Sequence, residues 1–454
     1  MFKRSIIKVF IPNNNLKERE YIINVILSEF LGLKYNLKAK NIQDYEIILE
    51  NGNKLIVEDH FFNKFPRDLE YLNKRNIPKK VKFGKNEFIV ERDIPIIYGS
   101  DKIGVKNNQI ICGIDIFASS FFMLSRWEEY VNKRRDNHNR FPATASIAYK
   151  FNFLYRPIVN EYVEMLWNFL NLLGCKQKRK IREFKFIFTH DVDVALKYGK
   201  IIQVLKIVGG DILKRHNLKS AFQNSIEVLR IYMKLQKDPF DTYNYLIDFS
   251  ERLGGKSYFF LHSSSSARED FYNGKLLKII AKKIKKRGHY LGYHPSYNAY
   301  NNLELFLEDK YKIEQIVEEK LESGRQHYLR FEVPATWQIW EDGKMKWDST
   351  LSYADNVGFR CGTCYPFPVF NILERKKLNL YEKPLIIMDC TLFDYQKLTL
   401  KKAKILYEYL INKVKQFKGE FVLLWHNSYP IFRLKELIDG ENRLFNQKGL
   451  PRSN

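Results

Sequence analysis

Cysteine is scarce in this sequence of 454 residues. The five cysteines, Cys112, Cys175, Cys361, Cys364 and Cys390, are too few and too scattered for a disulfide framework in a chain of this length. We therefore expect a reducing compartment and a cytoplasmic protein. Cys361 and Cys364 have CxxC spacing, but no second pair follows, so we do not expect a four-thiolate zinc site.

Long apolar runs are also absent. A transmembrane helix needs ~18 consecutive apolar residues, whereas the strongest runs, at 117–124 and 421–425, have the length of core elements. The basic start MFKRS is followed by a short, interrupted apolar stretch, so we expect no signal peptide. The sequence predicts no transmembrane segment and leaves peripheral membrane association open.

Acidic residues are outnumbered. Seventy-six Lys and Arg against 52 Asp and Glu leave a formal charge of +24, which permits a polyanionic partner without identifying one. The sequence shows no recognised nucleic-acid-binding module, so no specific nucleic acid is expected. Hydrophobic residues make up 45% of the chain, enough for a folded protein of two or three domains.

The sequence divides near residue 180. Residues 1–150 predict a small α/β domain of unknown function, and residues 151–182 predict a helix and a basic linker that contains CKQKRKIRE. Hydrophobic periodicity predicts helices at 16–33, 115–131 (half-buried) and 157–173, and strands at 45–49, 54–57 and 88–90.

From residue 183 to 454, short β-type runs alternate with long helical ones, which predicts parallel strands joined by crossover helices in an α/β barrel or a doubly wound sheet. A helical insertion at 197–252 separates the first two strands. The predicted strands are 184–189, 257–261, 289–293, 327–331, 358–360, 385–389 and 420–425, and the helices between later strands are 276–286, 305–321 and 401–417.

Acids, histidines and an arginine stand at the ends of these predicted strands, where loops of such folds converge on one cavity. Six of the nine histidines lie at or inside the strand segments. Carboxylates and imidazoles together can hold a divalent ion such as Zn²⁺, and metal binding lowers the pKa of a water molecule from ~15.7 towards ~7. The strand-end residues are Asp191, Asp193, His262, His294, His327, Arg330, Asp389 and His426.

These motifs, in this order, resemble the polysaccharide deacetylase family, carbohydrate esterase family four and its relatives. THDVD stands where the family has its first acidic motif, GYHPSYN where it has its histidine motif, LRFEVPATW where it has its Arg and Pro motif, and LLWHN in its final strand. The N-terminal region resembles the domain of unknown function fused to one bacterial branch. The resemblance implies a distorted seven-stranded (β/α) barrel and a hydrolase of non-peptide carbon–nitrogen bonds.

The resemblance also implies a role for each residue. Asp191 would be the general base, Asp193 and His294 metal ligands, Arg330 the residue that orients the base, and His426 the general acid. The cofactor would be a divalent metal, Zn²⁺ first, with Co²⁺, Ni²⁺ or Mn²⁺ as alternatives. The substrate would be an N-acetylated (or O-acetylated) amino sugar or polysaccharide.

Two departures from the family pattern leave alternatives open. Asn298 stands four residues after His294, where the family has a second histidine, and an amide is a poor ligand for Zn²⁺. Either His327 or His262 then supplies the missing nitrogen from a neighbouring strand, or the metal is held more weakly, with an amide or water in that place. Val192 separates two aspartates that the family often has adjacent, so the roles of Asp191 and Asp193 are interchangeable at this point.

Three other functions remain to be weighed. Asp191-Val192-Asp193 also fits the Asp-x-Asp signature with which glycosyltransferases hold a metal and a nucleotide sugar, although this motif gives no role to the histidines. A catalytically impaired, deacetylase-like binding protein is a second alternative. A basic nucleic-acid-binding protein would rest on net charge alone.

Overall fold

The computed structural model describes residues 6–199, 201–262 and 274–438. It is a mixed α/β structure of two compact units. Unit 1 comprises Met1–Lys185, Leu329–Ile386 and Glu408–Phe421, and unit 2 comprises Phe186–Tyr328, Ile387–Tyr407 and Val422–Asn454. Within the described ranges, every helix is too short or too polar to cross a lipid bilayer.

The strands are numbered β1 to β17 and the α-helices α1 to α13 in chain order. The strands are Ile7–Pro12, Tyr35–Lys40, Tyr45–Ile48, Lys54–Val57, Lys82–Gly84, Ile94–Ile96, Gly99–Lys106, Gln109–Ile114, Lys185–Val192, Ser257–His262, Tyr290–His294, Ser323–Gly324, Trp347–Asp348, Phe367–Asn371, Lys376–Glu382, Leu385–Met388 and Glu420–Leu424. The helices are Leu16–Ile23, Ile116–Ser125, Trp127–Val131, Ile147–Lys150, Ile158–Leu172, Ile201–Leu213, Leu218–Tyr232, Tyr243–Arg252, Gly274–Lys286, Leu303–Val317, Ala335–Asp342, Leu400–Gln416 and Ile431–Ile438.

Unit 1 contains a mixed sheet of order β2-β1-β3-β4-β8-β7. Strands β1 and β2 are parallel, and helix α1 connects them, continued by a π-helix at Asn24–Phe30. Helix α2 contacts α1 and α5. All ten residues of α2 are buried, so the prediction of a half-buried helix is wrong: the helix is apolar all round and is surrounded by protein.

The strands of unit 2 lie in the order β12-β11-β10-β9-β17-β16, in which β12, β11, β10 and β9 pair in parallel. Strands β10 and β17 are buried along nearly their whole length, as expected for a parallel sheet whose two faces are both covered. The pairing aligns Asp191 on β9 with Phe260 on β10, and His262 on β10 with His294 on β11. The carboxyl ends of these strands therefore lie at one edge of the sheet.

Five of the seven strands predicted after residue 183 are confirmed, as β9, β10, β11, β16 and β17. The other two predictions are wrong. Residues His327–Leu329 form a 3-10 helix that contains left-handed residues, and residues 358–360 form bends and turns. The seven-stranded count is therefore not confirmed, and the barrel stays a prediction. The helices predicted at 276–286, 305–321 and 401–417 correspond to α9, α10 and α12.

In the N-terminal region, the predicted strands at 45–49 and 54–57 are confirmed as β3 and β4. The strand predicted at 88–90 is wrong, because Phe88 lies in a turn and packs against Phe169 at a ring-centroid distance of 4.7 Å. The helix predicted at 115–131 is divided into α2 and α3 at Arg126, which has a φ of 56°.

His190 is fully buried under the strand-end region. Its Nδ1 lies 2.7 Å from the carbonyl oxygen of Trp425, and its Nε2 lies 3.1 Å from Oγ of Ser257. Because a carbonyl only accepts, Nδ1 carries the proton and Nε2 accepts from the serine hydroxyl. Burial lowers the pKa of His190 to about 3. The ring is thus neutral, and two hydrogen bonds hold it in the core, where it stabilises the fold.

We expect the free energy of unfolding to decrease less steeply with falling pH in His190→Gln than in the wild type. The unfolded chain binds a proton at this position near pH ~6.5, whereas the folded chain binds it only at about 3. Stability therefore falls with falling pH in this window, by up to about 1.4 kcal/mol per pH unit from this group. Urea-unfolding midpoints between about pH 6 and 4 measure the slope. An exposed control, His216→Gln, should keep the wild-type slope, and equal slopes for all three proteins would contradict the assignment.

Candidate metal centre

Asp193, His294 and His327 converge in unit 2. The distance between Asp193 Oδ1 and His294 Nε2 is 3.0 Å, and that between Asp193 Oδ1 and His327 Nδ1 is 3.4 Å. The two imidazole nitrogens are 3.0 Å apart. Both rings are nearly buried, whereas the Asp193 side chain is 32% exposed. One carboxylate oxygen and two ring nitrogens therefore face a common point that is open to solvent on the Asp193 side.

Strand pairing fixes the orientation of His294. Nδ1 of this residue lies 2.7 Å from the backbone carbonyl oxygen of Arg325, so Nδ1 donates to this carbonyl and Nε2 is directed towards Asp193. Arg325 is held in turn by its backbone N–H, which donates to the Tyr293 carbonyl at 3.1 Å. Gly324, which directly precedes Arg325, has no room for a side chain, because a Cβ there would stand 1.9 Å from the Tyr293 carbonyl oxygen.

His262 is a further member of the group. Ligand atoms of His262, His294 and His327 all lie within 4.8 Å of one another. Nδ1 of His262 is 3.1 Å from the backbone oxygen of His294. Both histidines considered as the substitute ligand are therefore present in the cluster, and His327 contacts Asp193.

Asp191 is held by an arginine. Nη1 of Arg325 donates to Asp191 Oδ1 at 2.8 Å, and both side chains are buried. Asp191 Oδ2 lies 3.9 Å from His294 Nε2, farther than Asp193 Oδ1 does. The two aspartates thus differ in environment: Asp193 faces the imidazoles, and Asp191 lies beside them with a guanidinium on its other oxygen.

His426 is held by Asp389. Nδ1 of His426 lies 2.8 Å from Asp389 Oδ1, and the backbone N–H of His426 donates to Asp389 Oδ2 at 2.6 Å. Nε2 of the same ring lies 3.7 Å from Asp193 Oδ2. The carboxylate on Nδ1 therefore directs Nε2 towards the Asp193 side of the cluster.

Opposite charges separate the pKa values of these groups. Burial would lower the pKa of His426, but Asp389 outweighs it and raises the pKa well above its usual value. Burial dominates at His327 and lowers its pKa to about 4. Burial would raise the pKa of Asp193, but His327, His294 and His426 hold it well below its usual value. Near neutral pH, His426 is a proton donor, Asp193 a carboxylate and His327 a neutral lone-pair donor.

This donor set fits a divalent transition metal. One carboxylate oxygen with two or three imidazole nitrogens is the ligand chemistry of catalytic zinc sites. Buried Asp193 Oδ1 has no partner of hydrogen-bond geometry among the described residues, although two imidazoles stand within 3.4 Å of it. The hydrogen bond from His294 Nδ1 to a carbonyl is also the outer contact that orients a metal-binding histidine.

The remaining sequence-predicted residues lie elsewhere or make other contacts. Arg330 belongs to unit 1, where its Nε donates to the His138 carbonyl at 2.9 Å, and its role beside the base stays a prediction. The arginine that contacts Asp191 is Arg325, which the sequence interpretation missed. The error follows from placing a strand at 327–331, because the actual strand β12 has only two residues, Ser323 and Gly324, and Arg325 directly follows it.

Comparison with known proteins gives one family match. A family model described as "Family of unknown function (DUF7033)" matches residues 7–174. This stretch belongs to unit 1 and contains none of the residues of the cluster. A search of curated proteins finds no match.

Several solved structures resemble the chain distantly. One is a Mycobacterium smegmatis protein assigned as a polysaccharide deacetylase, with 15% identity and a TM-score of 0.38, over 60% of this chain and 94% of that one. Another is a CE4 family pseudoenzyme from Bacillus anthracis, with 11% identity and a TM-score of 0.30, over 59% of this chain and 62% of that one. A mutant of it with restored enzymatic activity matches with 12% identity and a TM-score of 0.31, over 59% and 64% of the two chains. A likeness of this degree does not bear on activity.

We expect His327→Ala to weaken zinc binding by at least about 100-fold, because it removes one of the nitrogens that face Asp193. Competition with a chromophoric chelator measures the affinity, and elemental analysis measures the bound metal. His294→Ala and Asp193→Ala should give the same loss, and His190→Gln, which lies outside the donor set, should bind zinc as the wild type does. Unchanged affinity in His327→Ala with loss in His262→Ala would transfer the role to His262.

Proposed function

We propose that this chain is a metal-dependent deacetylase that hydrolyses an N-acetyl (or O-acetyl) group on an amino sugar or polysaccharide. The observation that most supports this proposal is that three groups with different chemical properties lie close together in unit 2. These are an arginine-held carboxylate, Asp191, a carboxylate–imidazole donor set around Asp193, and an aspartate-held imidazole, His426. Amide hydrolysis needs one group to accept a proton, one to polarise the carbonyl and one to donate a proton.

In the proposed mechanism, Asp193, His294 and His327 hold the metal, with Zn²⁺ preferred and Co²⁺, Ni²⁺ or Mn²⁺ as alternatives. When bound, such an ion polarises the acyl carbonyl and lowers the pKa of a water molecule. Asp191 accepts the proton of the attacking water through the oxygen that Arg325 does not occupy. Arg325 fixes the rotamer of Asp191 through its contact with Oδ1.

His426 completes the proposed reaction as the general acid. Asp389 keeps the ring protonated at neutral pH, since it raises the pKa of His426. Nε2, on the side of Asp193, then delivers its proton to the departing amine, without which an amine is a poor leaving group. The same ring must be reprotonated before the next turnover, so activity should fall when His426 titrates.

The proposed substrate class is based on the motif resemblance alone. The geometry of the site supports the proposed type of reaction. A glycosyltransferase with an Asp-x-Asp metal site would leave His294, His327 and His426 without a role, and Asp191 is already engaged by Arg325. Acetate release from N-acetylglucosamine oligomers, measured beside nucleotide-sugar consumption, separates the two activities. Stoichiometric metal binding without acetate release would instead identify the impaired, binding-only alternative.

We expect Asp191→Asn to keep its metal and to lose turnover by about 10² or more, because an amide cannot accept the water proton. Metal content and the kcat for acetate release are measured on the same sample. The exposed Glu308→Gln on α10 should behave like the wild type. A variant that loses metal together with turnover would show that Asp191 is a ligand and exchange the two aspartate roles.

Two arginine variants test which residue orients the base. Arg325→Met removes the guanidinium that contacts Asp191, so we expect a fall in kcat with metal retained. Arg330→Met leaves that contact in place. A larger loss in Arg330→Met than in Arg325→Met would restore the role that the motif resemblance implies for Arg330.

We expect Asp389→Asn to move the alkaline limb of the pH–rate profile to lower pH. The carboxylate raises the pKa of His426, so its removal lowers that pKa, and the acid form is lost at a lower pH. The profile of kcat against pH measures the shift, with metal saturation verified at each pH. A profile that only decreases in height, with both limbs unmoved, would contradict the assignment of His426 as the acid.

A further inference from the structure

A helical hairpin in unit 2 exposes an unusual number of apolar side chains. The α6–α7 hairpin, residues 201–235, contains ten of the 28 large apolar residues of the described chain that are exposed, each between 43% and 76%. Dispersed exposed apolar residues are normal, but clustering of this kind marks an interaction surface. The ten are Ile201, Leu205, Ile212, Leu213, Leu218, Phe222, Leu229, Tyr232, Met233 and Leu235.

The exposed residues follow the helical repeat. On α7, Leu218 and Phe222 are four residues apart, and Leu229 follows seven residues later. Ile201, Leu205 and Ile212 show the same spacing on α6. Residues at these intervals share one face, so each helix presents an apolar stripe to its surroundings.

Polar contacts also link α6 and α7. Asn224 on α7 donates through Nδ2 to Asp211 on α6 at 2.6 Å. Lys197 Nζ and the Tyr198 hydroxyl, just before α6, contact Glu227 on α7 at 2.7 and 2.6 Å. Asp211 is 3% exposed, far less than the apolar stripes. Polar contacts therefore share the interior of the hairpin with apolar side chains such as Ala221, while ten large apolar side chains stay exposed.

The charge of the hairpin and its flank is strongly positive. Residues 201–237 contain seven lysines and arginines and only two acids, Asp211 and Glu227. Both acids are engaged in the interior, with Arg215 and Lys197. Apolar stripes bordered by basic residues complement a surface that is apolar below and negatively charged above, which is the interface of an anionic bilayer. The basic residues are Lys206, Lys214, Arg215, Lys219, Arg230, Lys234 and Lys237.

The base of the hairpin is tied to the loops of the candidate metal centre. The hairpin begins eight residues after Asp193, and Asn427, which follows His426, donates through Nδ2 to the Val194 carbonyl at 3.0 Å. The Tyr243 hydroxyl, after the hairpin, donates to the Ala195 carbonyl at 2.9 Å. These two hydrogen bonds connect the segment that leads into the hairpin with the loops that carry Asp193 and His426.

We propose that the α6–α7 hairpin docks on the surface of an anionic lipid membrane, with its apolar stripes in the interface and its basic residues on the headgroups. The hairpin lies on the membrane as a peripheral contact and does not cross it. Resting on the proposed function, this contact also implies that the acetylated glycan is presented at the membrane surface.

Co-sedimentation with vesicles tests the docking without any measure of activity. The full-length protein should bind vesicles of phosphatidylcholine with about one third phosphatidylglycerol, and should bind pure phosphatidylcholine far more weakly. We expect the double variant Leu218→Asp/Phe222→Asp to bind the anionic vesicles about tenfold less. Lys214→Glu/Lys219→Glu should lose binding in the same direction and reduce its sensitivity to salt.

Ile279→Asp is the matched control, because Ile279 is 65% exposed on helix α9 and lies outside the hairpin. It should bind like the wild type, and all variants should keep their zinc content, which reports on folding of unit 2. Failure of the wild type to bind anionic vesicles would overturn the proposal and leave the deacetylase assignment untouched. A wild-type dimer that Leu218→Asp/Phe222→Asp converts to monomers would also overturn it, since the face would then belong to a second copy of the chain.

Discussion

The parallel pairing of β9, β10, β11 and β12 is the constraint on which the candidate metal centre depends. Register places Asp191 opposite Phe260, His262 opposite His294, and Tyr293 opposite Gly324, so these strands end at one edge. Each side chain of the cluster then leaves its strand at or just beyond the last paired residue. A slip of one residue in any pair would turn that side chain to the other face of the sheet.

Backbone carbonyls from the same pairing determine the chemistry of the rings. The Arg325 carbonyl accepts from His294 Nδ1, and the Trp425 carbonyl accepts from His190 Nδ1. His294 thereby directs Nε2 to Asp193, whereas both nitrogens of His190 make hydrogen bonds within the core. Two histidines of similar burial therefore differ in the group that faces Nε2, which is a carboxylate for His294 and a serine hydroxyl for His190.

The candidate metal centre and the α6–α7 hairpin differ in where their polar and apolar side chains lie. In the cluster, buried charges are compensated by close partners, as in the pair of Asp191 and Arg325. In the hairpin, buried Asp211 is compensated by Asn224 and Arg215, but ten large apolar side chains remain exposed. The exposed apolar side chains are the reason why we propose a membrane contact for the hairpin.

Much of the strand framework followed from the sequence because it depends on local composition. The apolar runs that become β10 and β17 are bounded by polar residues, and so the places of Asp191, Asp193, His294 and His426 at strand ends could be predicted. Tertiary structure decided the element around His327 and the choice of Arg325 beside Asp191. Strand β12 has two residues, too short for any periodicity, and it exists because Gly324 lets the backbone approach Tyr293. Tyr293 and Gly324, which pair between β11 and β12, are about 30 positions apart, and Asp191 and Arg325 are more than 100 positions apart. Local sequence patterns do not report pairings at that distance.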